Sequence, residues 1–234
     1  MSKIADCYLC NQKLNGEINV DHIPPKQFYA ASIRKKYKLN LFTLQVHKAC
    51  HKSFQKDEDY FVNSLAPVAM DSYSANELWK DLCVQFRRPE GRRIHEMVRR
   101  EFEWRPSGLY LPFGKVAKNF NGERVRRVIW KITRGLFFKE MRAFLPENHP
   151  NDIEILSPRE DPPYDFRFVW VTQSRGHYPG VFNYKYIDVD LRGVKDFHYW
   201  TMLFWDRLLA LIKFHDPACN CDVCLNEKTK CVAY

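Results

Sequence analysis

Four residues in the first fifty have the types and spacing of a tetrahedral metal site. Cys7-x-x-Cys10 forms a knuckle, in which a tight turn brings both thiolates to one side. A second pair follows at His47-x-x-Cys50, and on a helix residues 47 and 50 share one face at i, i+3. Cys7, Cys10, His47 and Cys50 together predict a structural zinc site of thiolates and imidazole that ties down a long loop. Between the pairs stands Asn19-Val20-Asp21-His22-Ile23-Pro24-Pro25-Lys26. Asp21 offers a hard oxygen to a different kind of cation, and His22 offers a base that titrates near neutrality.

The elements that position these residues read as knuckle, hairpin and helix over residues 1–61. The helix is predicted to start near Leu44 or Val46 and to run through Lys56. Pro67, within residues 66–74, reads as part of a linker. A helix over 75–86 carries Leu78, Leu82 and Phe86 at i, i+4, i+8. Pro89-Glu90-Gly91 breaks it, and a second helix over 92–104 carries Arg92, Arg93, Arg99 and Arg100. Residues 104–120 are turn-rich, with a hairpin around Gly108 or Gly114. A strong helix starts at Asn121-Gly122 and reaches Leu145. Val125, Val128, Ile129, Ile132 and Leu136 are its apolar stripe, and Arg124, Arg127, Lys131 and Arg134 follow the opposite side as a phosphate-binding face. Residues 166–171 and 181–186 alternate like paired strands, and 198–214 reads as a strand through Phe204, then a short strand or helix. The fold class is α+β: a zinc-stabilised module over 1–65, a basic domain of helices and antiparallel sheet over 66–214, and a cysteine-rich tail over 215–234.

Charge and composition bound the function. Hydrophobic residues make up 45% of the 234 and charged residues 28%, a globular balance that excludes a disordered chain. The most apolar stretch, residues 199–214, is broken by Asp206, Arg207 and Lys213, which excludes a membrane span there. Residues 1–10 have no apolar region of a signal peptide, so a cytoplasmic location is expected. The net charge of +9 divides into +4 over 1–60, +7 over 61–150 and −2 beyond, which points to a polyanion, nucleic acid, as partner. Of eight cysteines, all but Cys83 lie towards the two ends, a distribution of metal ligands rather than of a disulfide framework. Cys219, Cys221, Cys224 and Cys231 predict a second structural zinc, with His215 as a substitute ligand. His95, His149, His177 and His198 have no evident partner in the sequence and read as surface or core residues.

In the order Cys-x-x-Cys, Asp-His, Asn-Leu, His-x-x-Cys-His, the sequence resembles the HNH endonucleases, which carry the ββα-metal (His-Me) finger. Asp21-His22-Ile23-Pro24-Pro25-Lys26, with Phe28 after it, is similar to the Asp-His-Ile-Pro-Pro-Lys form of the motif in bacterial members. Residues 56–61 look like the acidic helix end of those members. The strong likeness covers residues 7–61. Lys131-Ile132-Thr133-Arg134-Gly135-Leu136 and residues 181–186 look similar to the same subgroup.

The resemblance implies roles. His22 matches the general base that takes a proton from the attacking water. Asp21 and His51 match the ligands of a catalytic divalent ion such as Mg²⁺. Asn40 matches the middle Asn that braces the loop and orients the base, and Cys7, Cys10, His47 and Cys50 match the zinc pairs. His47 departs from members that have Cys there, which makes zinc affinity more dependent on pH. The chemistry agrees with two metals in separate roles: soft thiolates suit zinc, and a hard ion suits phosphate. The implied activity is cleavage of DNA to leave a 5′-phosphate, in bacterial anti-phage defence or restriction beside a sensor protein. A non-catalytic zinc-finger nucleic-acid-binding module and a ribonuclease or toxin effector remain as alternatives, since nothing in the sequence separates DNA from RNA.

Overall fold

A computed structural model describes residues 6–103, 117–156, 160–190, 195–219 and 224. Strand β1 (Ile18–His22) pairs antiparallel with β2 (Thr43–His47), with Asp21 opposite Leu44 and His22 opposite Thr43. Thr43-Leu44-Gln45-Val46 alternates with period two, burying Leu44 and Val46 and exposing Thr43 and Gln45. That pattern makes residues 43–47 a strand where the sequence predicts the start of a helix. The helix, α2 (Lys48–Leu65), begins at once after His47 and runs past Lys56 because its second half is buried. A short helix, α1 (Ala31–Tyr37), lies in the connection between β1 and β2.

Residues 66–74 are packed rather than an open linker. A single 3-10 turn (Ala66–Ala69) buries both alanines, and the Ser72 hydroxyl accepts from the Ala75 amide to cap α3 (Tyr73–Phe86). Helix α4 (Pro89–Arg99) starts earlier than predicted, because Pro89 sits in its first turn, where no amide donor is required. Strands β3 (Phe102–Glu103) and β4 (Ala117–Lys118) pair antiparallel; the turn predicted at Gly108 or Gly114 lies outside the described residues. The Asn121 side chain caps α5 (Gly122–Met141), which ends at a left-handed Arg142 before reaching Leu145.

The remainder is an antiparallel sheet of β5 (Asn151–Leu156), β6 (Arg175–Tyr178), β7 (Phe182–Asp190), β8 (Lys195–Phe204) and β9 (Leu208–His215), in the order β5-β9-β8-β7-β6. The second half of 198–214 is therefore a strand. Residues 166–171 are not: after Pro163 the chain makes a 3-10 turn and one helical turn, α6 (Arg167–Trp170). Phe166 and Val169, at helical spacing, cluster with Leu156 and Leu211 of the sheet. On the sheet's other face Trp200, Met202, Phe204, Ala210, Ile212 and Phe214 alternate inward with α5, whose Phe137 packs edge-on to Phe214.

One apolar core runs from Cys7 to Phe214. Trp205, in the turn between β8 and β9, is fully buried against Phe28 and Phe61 and donates its indole N–H to the Phe28 carbonyl at 3.0 Å. Among the described residues no helix is long and apolar enough to cross a membrane.

Candidate metal centre and active site

The knuckle is closed by its own backbone: the Asn11 amide donates to the Cys7 carbonyl at 2.8 Å, and the Cys7 amide to the Gln12 carbonyl at 2.9 Å. Asn11 takes the left-handed conformation, φ 57°, that lets the chain reverse there. His47, the last residue of β2, and Cys50, in the first turn of α2, arrive from the other side. The donor atoms of Cys7, Cys10, His47 and Cys50 all lie within 4.8 Å of one another. His47 Nδ1 is 3.3 Å from Cys10 Sγ, while Nε2 meets the Lys13 carbonyl at 3.1 Å, an outer contact that fixes the ring. Burial, then Cys10 and Cys7, push the Cys50 thiol up to about 12. Thiols crowded in this way ionise together only around a cation, and three thiolates with one imidazole suit zinc. The cluster can hold a metal such as zinc.

Beside it opens a cleft of about 460 Å³, lined by Val20, Asp21, His22, Pro25, Lys26, Gln27, His51, Gln55, Glu58 and Asp59. β1 supplies Asp21 and His22. α2 supplies His51, Gln55 and Glu58, which at spacings of four and three share one helix face. His51 Nε2 is 3.6 Å from Asp21 Oδ1, and the Asn19 amide meets its other ring nitrogen at 3.2 Å. Partial burial holds the His22 pKa below its ordinary value, Lys26 lowers it further, and Asp21 opposes the shift. Burial and Lys26 thus favour the unprotonated form of His22, the form a base requires.

Asp21 is 1% exposed. It accepts from Tyr8 Oη at 2.6 Å and from Lys131 Nζ at 2.7 Å. Lys131 also bonds Glu58, whose pKa burial raises above the ordinary glutamate value against the pull of that lysine. Lys131 and Arg134 are each 1% exposed, so α5 does not present the basic face that its spacing predicts. The reason is that α5 is buried on nearly every side. Arg134 donates through Nε to the Leu145 carbonyl at 2.8 Å and through Nη2 to the carbonyl of Leu9 inside the knuckle. Arg124 and Arg127 straddle Asp57 of α2, each at 2.7 Å. These four residues bind this chain.

Asn40 is exposed and contributes backbone only: its carbonyl accepts from Tyr178 Oη at 3.1 Å. No side-chain hydrogen bond from Asn40 to His22 occurs among the described residues, so the predicted bracing of the base is not made; Asn40 and His22 instead line a shared second cleft. Glu58, Tyr8 and Asn19 were not among the predicted site residues. Glu58 alone had a readable signal, seven positions after His51 on the same helix face. His198 and His149 do have partners: His198 lies between Asp188 and Asp216 at 2.6 and 3.1 Å, and His149 Nε2 meets the His215 carbonyl at 2.8 Å. In the tail, Cys219 and Cys224 converge with His215, while Cys221 and Cys231 lie outside the described residues. No family model matches the chain, and no curated protein or solved structure matches it.

Proposed function

We propose that this chain is a metal-dependent HNH endonuclease that hydrolyses DNA phosphodiester bonds. One observation carries the reading. His22 opens on the same cleft as the Asp21–His51 donor pair, and the hairpin and helix that hold them also supply His47 and Cys50 of the cysteine–imidazole cluster. The finer architecture, a ββα-metal module made of β1, β2 and α2, belongs to this proposal.

Asp21 and His51 fit a hard divalent ion such as Mg²⁺ or Mn²⁺, which when bound would neutralise charge on the phosphate and on the leaving oxygen. The carboxylates of Asp21 and Glu58 exceed the single ammonium of Lys131 by one negative charge, which leaves the cleft floor attractive to a cation. His22 accepts a proton from the attacking water. The water oxygen bonds to phosphorus, the bond from phosphorus to the 3′-oxygen breaks, and that oxygen leaves with a proton from solvent. The products are a 5′-phosphate and a 3′-hydroxyl. Lys131 and Tyr8 hold the Asp21 carboxylate in place. Exposed arginines on α4 offer phosphate contacts.

A non-catalytic nucleic-acid-binding zinc module is the second reading, favoured by the hold that Lys131 and Tyr8 already have on Asp21. Supercoiled plasmid, incubated with the protein in Mg²⁺, Mn²⁺ or EDTA beside His22→Ala, separates the two. Cutting that needs both the ion and His22 supports the nuclease. Binding without cutting under every ion sinks it, and an RNA competitor in the same reactions identifies the polymer.

A further inference from the structure

We infer that the end of the sheet holds a second zinc ion, through His215, Cys219 and Cys224. This inference is independent of the nuclease reading. His215 is the last residue of β9, and the donor atoms of the three residues lie within 4.8 Å of one another. His215 Nδ1 is 3.4 Å from Cys219 Sγ; in the N-terminal cluster the corresponding separation, Cys10 Sγ to His47 Nδ1, is 3.3 Å. Metal–ligand lengths of about 2.3 Å to sulfur and 2.0–2.1 Å to nitrogen put tetrahedral zinc donors roughly 3.5 Å apart, so both spacings suit one ion each.

Burial and donor chemistry agree. Cys219 is 7% exposed and Cys224 fully buried, with the imidazole beside them. Thiolate with imidazole is a set for zinc rather than for Mg²⁺ or Ca²⁺. The sequence reading gave His215 only a substitute's place; here it is a principal donor.

Contacts within the chain frame the donors. The Asp216 side chain accepts from the Ala218 amide at 2.8 Å, and its carbonyl accepts from the Cys219 amide at 2.8 Å, which folds the chain back until Cys219 faces His215. The other Asp216 carboxylate oxygen meets the buried His198, which Asp188 holds from the far side. The His215 carbonyl accepts from His149, whose ring stacks on Trp130 of α5. This second site shares no residue with the His22 cleft. Its role is structural: it fastens Cys219 and Cys224 to the end of β9.

The test is zinc content per chain, by mass spectrometry of the full chain purified without chelator. Cys219→Ser and Cys224→Ser should each lose one equivalent relative to the parent while retaining the one lost in Cys10→Ser. Cys10→Ser combined with Cys224→Ser should hold none. Parent zinc content unchanged in Cys219→Ser and Cys224→Ser overturns the inference. If the serine variants do not fold, His215→Cys and His215→Ala decide: retention of the equivalent by the first and its loss by the second uphold the site, and retention by both overturns it.

Discussion

At the residue scale, the side chains around His22 set a pH response. The His22 pKa lies below its ordinary value through burial and then Lys26. A base must be unprotonated, so activity should rise with pH through that lowered value. Lys26→Ala removes the largest charge contribution to the lowering, and the acid limb of its rate profile should move to higher pH. The position of the limb is the readout, because Lys26 at the cleft edge can also alter its height by touching phosphate. Lys131→Met acts on stability instead. It strands two buried carboxylates, and removing one partner of such a pair costs about 3–5 kcal/mol. The pH dependence has a definite sign. Glu58 already binds its proton more tightly folded than unfolded, so its burial weakens the fold as pH rises above the ordinary glutamate value. Without Lys131 that shift grows. Urea midpoints should therefore show a larger deficit for Lys131→Met at pH 8 than at pH 5; an equal deficit would remove the carboxylates from the explanation.

At the element scale, α5 does more than close the core. Its Lys131 reaches Asp21 and its Arg134 reaches the knuckle, partners 110 and 125 positions away in sequence. Such pairings have no local signature, which is why the spacing of Arg124, Arg127, Lys131 and Arg134 reads as a solvated basic stripe. What was legible had local causes: the capped start of α5, the leucine period of α3, the knuckle and its distant partner pair. The strand at 43–47 and the helical turn at 167–170 were misread because short runs of apolar and β-branched residues fit either period. Gly135 shows how closely α5 sits on the hairpin. A Cβ there would come within 2.1 Å of Ile23 Cδ1, and Ile23, directly after Asp21-His22, is itself buried. Alanine gains about 1 kcal/mol of helix propensity over glycine, whereas overpacking a core costs about 1–3 kcal/mol. Gly135→Ala should therefore lower the melting temperature, and adding Ile23→Val should restore part of it. Activity should fall more than stability, because the displaced residue adjoins the base.

At the scale of the whole molecule, the question is where a polyanion can lie. The positive charge is concentrated before residue 151, yet the basic residues of α5 are engaged within the chain: Arg124 and Arg127 on Asp57, Lys131 on Asp21 and Glu58, Arg134 on backbone carbonyls. Among the charges that face solvent are those of α4, which packs through Val98 and leaves Arg92, Arg93 and Arg99 exposed, with Arg87 and Arg88 exposed just before it and Arg100 just after. Another cavity, lined in part by Arg88, Gly91 and Ile94, shares Lys26, Gln27 and Asp59 with the His22 cleft, so this basic helix leads to the site. Helix α4 packs against α2, which carries His51 and Glu58 of the cleft, and against α3, and this packing sets its relation to the cleft. Each phosphate contact contributes about 0.9 to the salt slope of duplex binding. Alanine at Arg92 and Arg93 together should weaken binding measured in EDTA and flatten the slope by up to about 2 units, with little change in melting temperature. Arg124→Ala should do the reverse, lowering the melting temperature through Asp57 while leaving the slope unchanged. If instead Arg124→Ala flattens the slope and the α4 variant does not, the polyanion lies along α5, and the internal pairing seen there gives way when nucleic acid binds.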